Sequence, residues 1–173
     1  RMHPEAAEQA LSLELNAPVK LNEIHNLDPF DCGEETINEY LKKKALRAQA
    51  SKTATVLVTC IKGTNTVVGY YTLSSGTIMR ANVVPKKAQR NSPDQHPITV
   101  LGRMGVCRTL QGTGLSLDLI QDAVLRAISA SEDVASTALI VHPLNDRLVG
   151  LYEKVGFIRC PQLSPITMML PFT

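Results

Sequence analysis

The chain contains no tryptophan, three phenylalanines and four tyrosines among its 173 residues, and its four cysteines stand far apart. So few aromatic rings leave little surface for stacking single-stranded bases. The cysteines form no Cys-x-x-Cys pair, so we expect neither a zinc site nor a disulfide scaffold, and no metal. Free thiols are typical of a cytoplasmic protein. The four positions are Cys32, Cys60, Cys107 and Cys160.

Long apolar runs are also missing. No stretch approaches the ~20 apolar residues that a membrane span requires. The polar, glutamate-bearing residues 1–16 lack the apolar segment of a signal peptide. We therefore predict a cytoplasmic protein that does not associate with membranes. At 44% hydrophobic residues, the chain is long enough to bury the core of one domain.

Acidic residues are absent from Tyr40 to Pro93, although the net charge of the chain is only +2. This block can produce a strong positive field locally and is compatible with a polyanionic partner, although a solvated helix face would also explain a run of charge. The basic residues within it that we assign to such a partner are Lys42, Lys43, Lys44, Arg47, Lys52, Arg80, Lys86, Lys87 and Arg90.

The hydrophobic pattern predicts a mixed α/β fold. An early hairpin is expected, followed by a strand, helix, strand and helix in that order, and Asp31 is the expected N-cap of the first helix. The predicted strands are Val19–Ile24, Thr53–Ile61, Val67–Ser75, Ile98–Val106, Ala138–Val141 and Ile166–Leu170. The predicted helices are Glu34–Ala50, one from Leu115 to about Ala130, and Asn145–Val155, with a basic loop over Met79–His96.

A glycine-rich turn, Gln111-Gly112-Thr113-Gly114-Leu115, joins a predicted strand to a predicted helix. Backbone amides at such a junction, together with the helix dipole, form an anion site suited to a pyrophosphate. The third glycine of a dinucleotide-binding turn is missing, since Leu117 stands in its place. The Gly-Lys-Ser/Thr of a phosphate loop is also absent. The turn alone leaves the ligand open.

A second motif follows one helix and one strand later. Asn145 to Phe157, with Leu151-Tyr152 and Gly156-Phe157, resembles the Asn…Leu-Tyr-x-x-x-Gly-Phe signature of the GNAT acetyltransferases, and the glycine-rich turn resembles their acetyl-CoA pyrophosphate motif. Phe30-Asp31-Cys32-Gly33, Val68–Leu73 and Leu101-Gly102-Arg103 are similar to segments of the GNAT toxins of bacterial toxin–antitoxin modules.

The resemblance implies the GNAT fold, a mixed central sheet with a splayed strand pair and flanking helices. It implies a single domain over residues 21–173, preceded by an extension over 1–20. Acetyl-CoA would be held by Met104 and Val106 at the strand end, by the amides of Gln111, Gly112, Thr113, Gly114 and Leu115, and by Asn145. The family commonly has Arg or Gln three places before the first glycine, where this chain has Thr109 beside Arg108.

For catalysis, the resemblance implies that Tyr152 is the general acid that protonates the departing thiolate. No general base stands out, and His142 is one option if it is buried. The α-amine of an aminoacyl ester is acidic enough that no base is required. An acyl-enzyme on Cys107 is the less favoured route, and we expect direct transfer.

The implied acceptor is charged tRNA, which the basic residues would hold through its phosphates. The toxin resemblance also implies a ribbon-helix-helix antitoxin and a homodimer. Two alternatives remain at this point. One is a GNAT enzyme that acetylates a small amine or a protein N-terminus. The other is a non-catalytic acyl-CoA-binding protein that works through protein–protein contacts.

Overall fold

The computed structural model describes residues 14–173. Seven strands are hydrogen-bonded in the order β1-β2-β3-β4-β5-β7-β6. β4 and β5 are parallel, whereas β1–β2, β5–β7 and β6–β7 are antiparallel, so the sheet is mixed. The strands are β1 (Val19–Lys20), β2 (Thr55–Cys60), β3 (Val67–Met79), β4 (Gln95–Val106), β5 (Ala138–Val141), β6 (Ile158–Arg159) and β7 (Met168–Pro171).

The helices lie largely where the sequence pattern predicts them. They are α1 (Glu35–Glu39), α2 (Ala45–Ala50), α3 (Leu115–Ser131) and α4 (Asp146–Val155). A π-helical turn, Tyr40–Lys44, separates α1 from α2. Short 3-10 turns occupy Arg80–Asn82, Lys86–Gln89 and Arg108–Leu110. Within residues 14–173, no helix is long and apolar enough to cross a membrane.

The sequence pattern predicts six strands, and the structure contains all six and one more. The structure adds β6, a two-residue strand that pairs with β7, and the last strand begins at Met168 rather than Ile166. The first strand ends at Lys20, because the Asn22 side chain accepts the Ile24 N–H and turns the chain. The predicted hairpin is present, since β2 and β3 are neighbours joined by a link too short for a parallel crossover.

The predicted N-cap of the first helix is wrong. The cap position is Glu34, which makes no side-chain capping bond. The Asp31 carboxylate instead accepts hydrogen bonds from the Gly33 N–H (2.9 Å) and the Asn38 amide (3.0 Å). Leu46, in α2, is 41% exposed although it is a large apolar residue, because the π-helical turn shifts the direction of the residues that follow it.

The described residues fall into two compact units. One takes in the described chain up to Thr72 together with Arg103–Asp122. Its core includes Phe30, Leu41 and Tyr70. Gly69 permits close packing of α3 on β3, because a Cβ there would lie 3.3 Å from the side chains of Leu115 and Leu119. Burial of each large apolar side chain contributes roughly 1.5–3 kcal/mol.

The second unit comprises Leu73–Gly102 and Ala123–Thr173. Its core is a cluster that includes Ile78, Ile98, Ile140 and Met169. Residues 14–20 belong to the first unit, where Leu15 bridges Ile61 and β1 pairs with β2. The rest of the predicted N-terminal extension lies outside the described residues.

Candidate active site

The glycine-rich turn lies between the end of β4 and the start of α3. Gly112 (φ +84°) and Gly114 (φ +92°) both adopt left-handed backbone conformations that only glycine takes without strain. A Cβ at either position would meet nothing within 4 Å, so the space above the turn is open. The positive φ angles, rather than lack of room, therefore explain the two glycines.

The amides of this turn differ in availability. The Gln111 and Thr113 N–H groups donate to Arg108 O and Leu110 O, each at 3.3 Å. In the described part of the chain, the N–H groups of Gly112 and Gly114 have no hydrogen-bond partner. Together with Leu115, the first residue of α3, these two glycines are the amides best placed to receive an anion.

The Gln111 side chain has a role that the sequence did not indicate. Its amide nitrogen donates to Cys32 O (2.8 Å) and to Val106 O (3.0 Å), which ties the turn to the end of β4 and to the segment before α1. A side-chain amide with two backbone partners leaves no local sequence signal, because both carbonyls are brought near by the fold. Only the structure reveals it.

Arg108, which stands beside the departure at Thr109, is occupied elsewhere. Its Nε lies 3.3 Å from the Asp31 carboxylate, and its backbone N–H donates to Asp31 O at 2.9 Å. The hydrogen bonds from Gly33 and Asn38, followed by the charge of Arg108, hold the pKa of Asp31 below its usual value. The structure thus places Arg108 in an ion pair with Asp31.

Met104 and Val106 lie in the last part of β4, beyond its pairing with β5. That pairing runs from Thr99 opposite Leu139 to Leu101 opposite Val141, whereas β4 continues to Val106. Backbone groups after Leu101 therefore extend past the end of the parallel partner. This is the place where the sequence analysis expects an extended ligand to bond.

Tyr152 lies on α4 in the second unit. Its side chain is 6% exposed, and its ring meets the Phe157 ring edge-on at 5.2 Å between centroids. Burial raises the pKa of Tyr152 to about 12, so the phenol keeps its proton at neutral pH. The ring therefore packs against Phe157, and the role of Tyr152 as a proton donor stays a prediction.

Asn145 and Gly156 mark the two ends of α4. The Asn145 side chain accepts the Leu148 N–H at 3.0 Å, an N-cap, and Gly156 ends the helix with φ +113°. The side-chain oxygen of Asn145 is therefore already engaged in capping the helix. Its predicted contact with the cofactor stays a prediction.

Neither alternative catalytic residue gains support. His142 is exposed rather than buried, and its Nδ1 lies 3.1 Å from the Thr167 hydroxyl. Cys107 is buried, and burial raises the pKa of its thiol, which disfavours the nucleophilic thiolate. A covalent acyl-enzyme on this cysteine is therefore the weaker route.

The basic residues fall into two groups. The first group lies on and just after the π-helical turn and α2, where all five side chains are exposed; it comprises Lys42, Lys43, Lys44, Arg47 and Lys52. The second group belongs to the other unit and comprises Arg80, Lys86, Lys87 and Arg90. Lys43 pairs with Glu39 at 3.6 Å, and Arg80 pairs with Asp94 at 2.9 Å. These surface pairs are weak enough to yield to a phosphate.

Comparison with known proteins supplies the class. No family model matches the chain. A tRNA-acetylating toxin of Mycobacterium tuberculosis (strain ATCC 25618 / H37Rv) is 34% identical over 155 residues, which cover 90% of this chain and 91% of that protein. A probable toxin TacT of Sinorhizobium fredii (strain NBRC 101917 / NGR234) is 25% identical over 85% of both chains.

Solved structures show the same relationship. AtaT complexed with acetyl-methionyl-tRNAfMet superposes with a TM-score of 0.85 at 30% identity, covering 91% of this chain and 95% of that one. A tyrosine-to-phenylalanine mutant of KacT gives 0.83 at 25% identity, covering 92% and 94%. The fold is thus that of the GNAT acetyltransferases, as predicted. The chain belongs to the GNAT acetyltransferase toxins of bacterial toxin–antitoxin modules.

Proposed function

We propose that this protein transfers the acetyl group of acetyl-CoA to the α-amine of the amino acid on a charged tRNA, and so blocks translation in the bacterial cytoplasm. The observation that carries the proposal is the 34% identity, over nine-tenths of the chain, to a tRNA-acetylating toxin. The match to AtaT in complex with acetyl-methionyl-tRNAfMet supports the same acceptor class.

The geometry of the glycine-rich turn supports the proposal that acetyl-CoA is the cofactor. A pyrophosphate fits a turn that offers unpartnered N–H groups at Gly112 and Gly114 below open space. Leu115 adds the first amide of α3, and the backbone of Met104 and Val106 would bond the pantetheine arm. When bound, acetyl-CoA supplies the thioester whose C–S bond breaks as the new C–N bond forms.

Tyr152 supplies the proton that the leaving sulfur requires. The amine loses a proton to water as it becomes an amide, and the Tyr152 hydroxyl donates its own to the thiolate. With its pKa at about 12, the phenol is almost fully protonated at pH 7. The same apolar surroundings would raise the pKa of the coenzyme A thiol above its value in water. The pKa difference between this thiol and the Tyr152 phenol would then be smaller, which favours proton transfer to the sulfur. Solvent then restores the phenolic proton.

The exposed cations support tRNA as the partner. Three consecutive lysines (Lys42, Lys43 and Lys44) occupy the π-helical turn, and Arg47 and Lys52 follow. Acidic residues are absent from this whole region of the sequence, so no local carboxylate after Glu39 neutralises it. Such a surface suits phosphate recognition of a tRNA acceptor stem, with steep salt dependence.

Structures of AtaT and KacT in complex with other molecules suggest which partners this protein binds. AtaT has been solved with the C-terminus of the antitoxin AtaR, and AtaT–AtaR and KacTA have been solved as complexes with DNA. We infer an antitoxin of the ribbon-helix-helix class that neutralises this protein, and a homodimer as the toxin form.

The test uses the full chain, acetyl-labelled acetyl-CoA, and total tRNA in charged and deacylated form. Label on the charged tRNA alone, released with the amino acid by mild alkali, is the expected result. Equal label on both forms would exclude the aminoacyl acceptor. Label on neither, with acetyl-CoA still bound, would favour the non-catalytic alternative.

A further inference from the structure

Asn38 is a buried polar residue in the helical segment beside the glycine-rich turn. Its side chain, in a residue only 6% exposed, bonds at both ends: Oδ1 accepts the Cys32 N–H at 2.8 Å, and Nδ2 donates to the Asp31 carboxylate at 3.0 Å. Asparagine is a poor helix former and is costly to bury without partners. Its place in α1 therefore has to be explained by what it holds.

Asn38 holds the segment Asp31–Gly33, which in turn contacts both ends of the 3-10 turn Arg108–Leu110. That turn leads into the glycine-rich turn over residues 111–115, hereafter the cradle. At one end, Arg108 N–H donates to Asp31 O and Arg108 Nε pairs with the Asp31 carboxylate. At the other end, Gln111 donates to Cys32 O. Gly33 has a positive φ (+92°), which favours glycine, and the Arg108 guanidinium lies alongside it, 3.5 Å from where a Cβ would project.

The cradle depends on such outside support. Neither Gly112 nor Gly114 has a side chain, and a Cβ at either position would meet nothing within 4 Å. Packing therefore cannot set the direction of their N–H groups. The Asp31–Gly33 segment, which Asn38 holds in place, fixes Arg108 and Gln111, the residues that lead into Gly112.

We propose that Asn38 is a positioning residue for acetyl-CoA. Asn38 holds the segment Asp31–Gly33 in place, and this segment holds Arg108 and Gln111. These two residues in turn set the orientation of the cradle amides. The proposal rests on the proposed function of the cradle as the pyrophosphate site. Asn38 itself touches no reacting atom. A displacement of the amides by a fraction of an ångström suffices to weaken an anion site.

The decisive variant is Asn38→Asp, which keeps the acceptor for Cys32 but places a second carboxylate about 3 Å from Asp31. Two carboxylates this close cannot both ionise without strain, so one takes up a proton as the pH falls. The other charged or titratable groups around Asp31 are Asp28, Glu35, Lys42 and Arg108, which line the same cavity, and the buried thiols of Cys32 and Cys107. None of them changes in the variant.

The measurement is the dissociation constant of acetyl-CoA by calorimetry between pH 5 and 8, as a ratio of variant to wild type. Loss of a buried hydrogen bond corresponds to about tenfold weaker binding by Asn38→Asp at pH 8. The ratio should return toward one at pH 5, where a shared proton restores the bond. Urea unfolding of the variant at both pH values separates this effect from a loss of stability alone, which would lower the unfolding midpoint but leave the dissociation constant of the folded fraction unchanged.

Gln49→Glu is the matched control. Like Asn38, Gln49 is a helical residue whose side-chain amide bonds at both ends. Its partners are Val56 N–H (2.9 Å) and Leu21 O, and neither adjoins the cradle. We expect this variant to lose stability while acetyl-CoA binding stays unchanged. If both variants weaken binding alike, or if Asn38→Asp leaves it unchanged, the proposal is wrong.

Asp31→Asn provides a second route should the first variant fail to fold. Its side chain is 55% exposed, and the new amide can still accept the Gly33 N–H while the charge facing Arg108 is lost. About threefold weaker acetyl-CoA binding is expected, and unchanged binding would contradict the proposal. If the wild-type chain itself binds no acetyl-CoA, the proposed function fails rather than this inference.

Discussion

Gly105 in β4 offers the sharpest test of how the first unit is packed. A Cβ at this position would lie 2.8 Å from Ile37 Cγ2, 3.1 Å from Phe30 Cζ and 3.4 Å from Cys32 Sγ. Carbon atoms in contact prefer about 3.5–4.0 Å, so the first of these approaches forces a shift. The segment that carries Asn38 therefore rests directly on the backbone of β4.

The expected cost of Gly105→Ala follows from these distances. Overpacking by one methyl group typically costs about 1–3 kcal/mol, and alanine recovers roughly 0.5–1 kcal/mol of that by restricting the unfolded chain. We expect a net loss of about 1 kcal/mol, and at most about 2.5 kcal/mol, in the free energy of unfolding. Urea unfolding measures it as a lower midpoint at unchanged slope.

Two further variants make the experiment decisive. Ile37→Ala removes the atom at 2.8 Å, so Gly105→Ala should cost less in that background. Gly150→Ala is the control, because Gly150 is helical and its Cβ would meet nothing within 4 Å; it should be neutral or stabilising by up to ~1 kcal/mol. An equal loss for Gly105→Ala with and without Ile37 would refute the packing argument.

Three other predictions concern the proposed chemistry. Tyr152→Phe should lower kcat about 100-fold or more while acetyl-CoA binding stays near normal, since a general acid contributes on that scale; full activity would remove Tyr152 from the reaction. Because burial raises the pKa of Tyr152 to about 12 from 10, the folded state holds this proton more tightly, so its contribution is complete below pH 10 and is lost as the pH rises through 12. Urea unfolding at pH 9 and 11 should show a smaller alkaline loss in Tyr152→Phe, by about 1 kcal/mol, and identical losses would contradict the shift. Reversing Lys42, Lys43 and Lys44 to Glu should raise KM for charged tRNA and flatten its salt dependence, with KM for acetyl-CoA unchanged; a parallel rise in both would place these lysines at the cofactor instead.

Local patterns predicted the parts of the fold that local interactions determine. The helix predicted over Asn145–Val155 is confirmed as α4 (Asp146–Val155), because local signals mark both of its ends: Asn145 is the N-cap and Gly156 ends the helix. β5 is confirmed at Ala138–Val141, because a short apolar run buried on both sides has few alternatives. The glycine-rich turn is found where the sequence placed it, between β4 and α3.

The supports of the candidate site depend on contacts between distant parts of the chain. From its residue type, Asn38 would be expected on the solvent-exposed face of the helix. Only the fold shows that it is buried and bonded to Asp31 and Cys32. The π-helical turn, too, has no periodicity of its own. A distant residue holds the helix just before it, since the Tyr70 hydroxyl, 33 residues away, donates to Ile37 O in α1 at 2.7 Å. Asp31 was predicted as a helix cap because its type suits one, yet it holds Arg108 instead.

The four cysteines give this protein a set of internal reporters. Each is buried, and burial raises the pKa of every one of these thiols, so little reactive thiolate exists in the folded state. Alkylation must therefore wait for local opening. Cys32 and Cys107 flank the cradle supports, whereas Cys160 belongs to the core of the second unit. Pulsed labelling followed by peptide mass analysis would show which region opens first, and whether acetyl-CoA slows the opening at Cys32 and Cys107 alone.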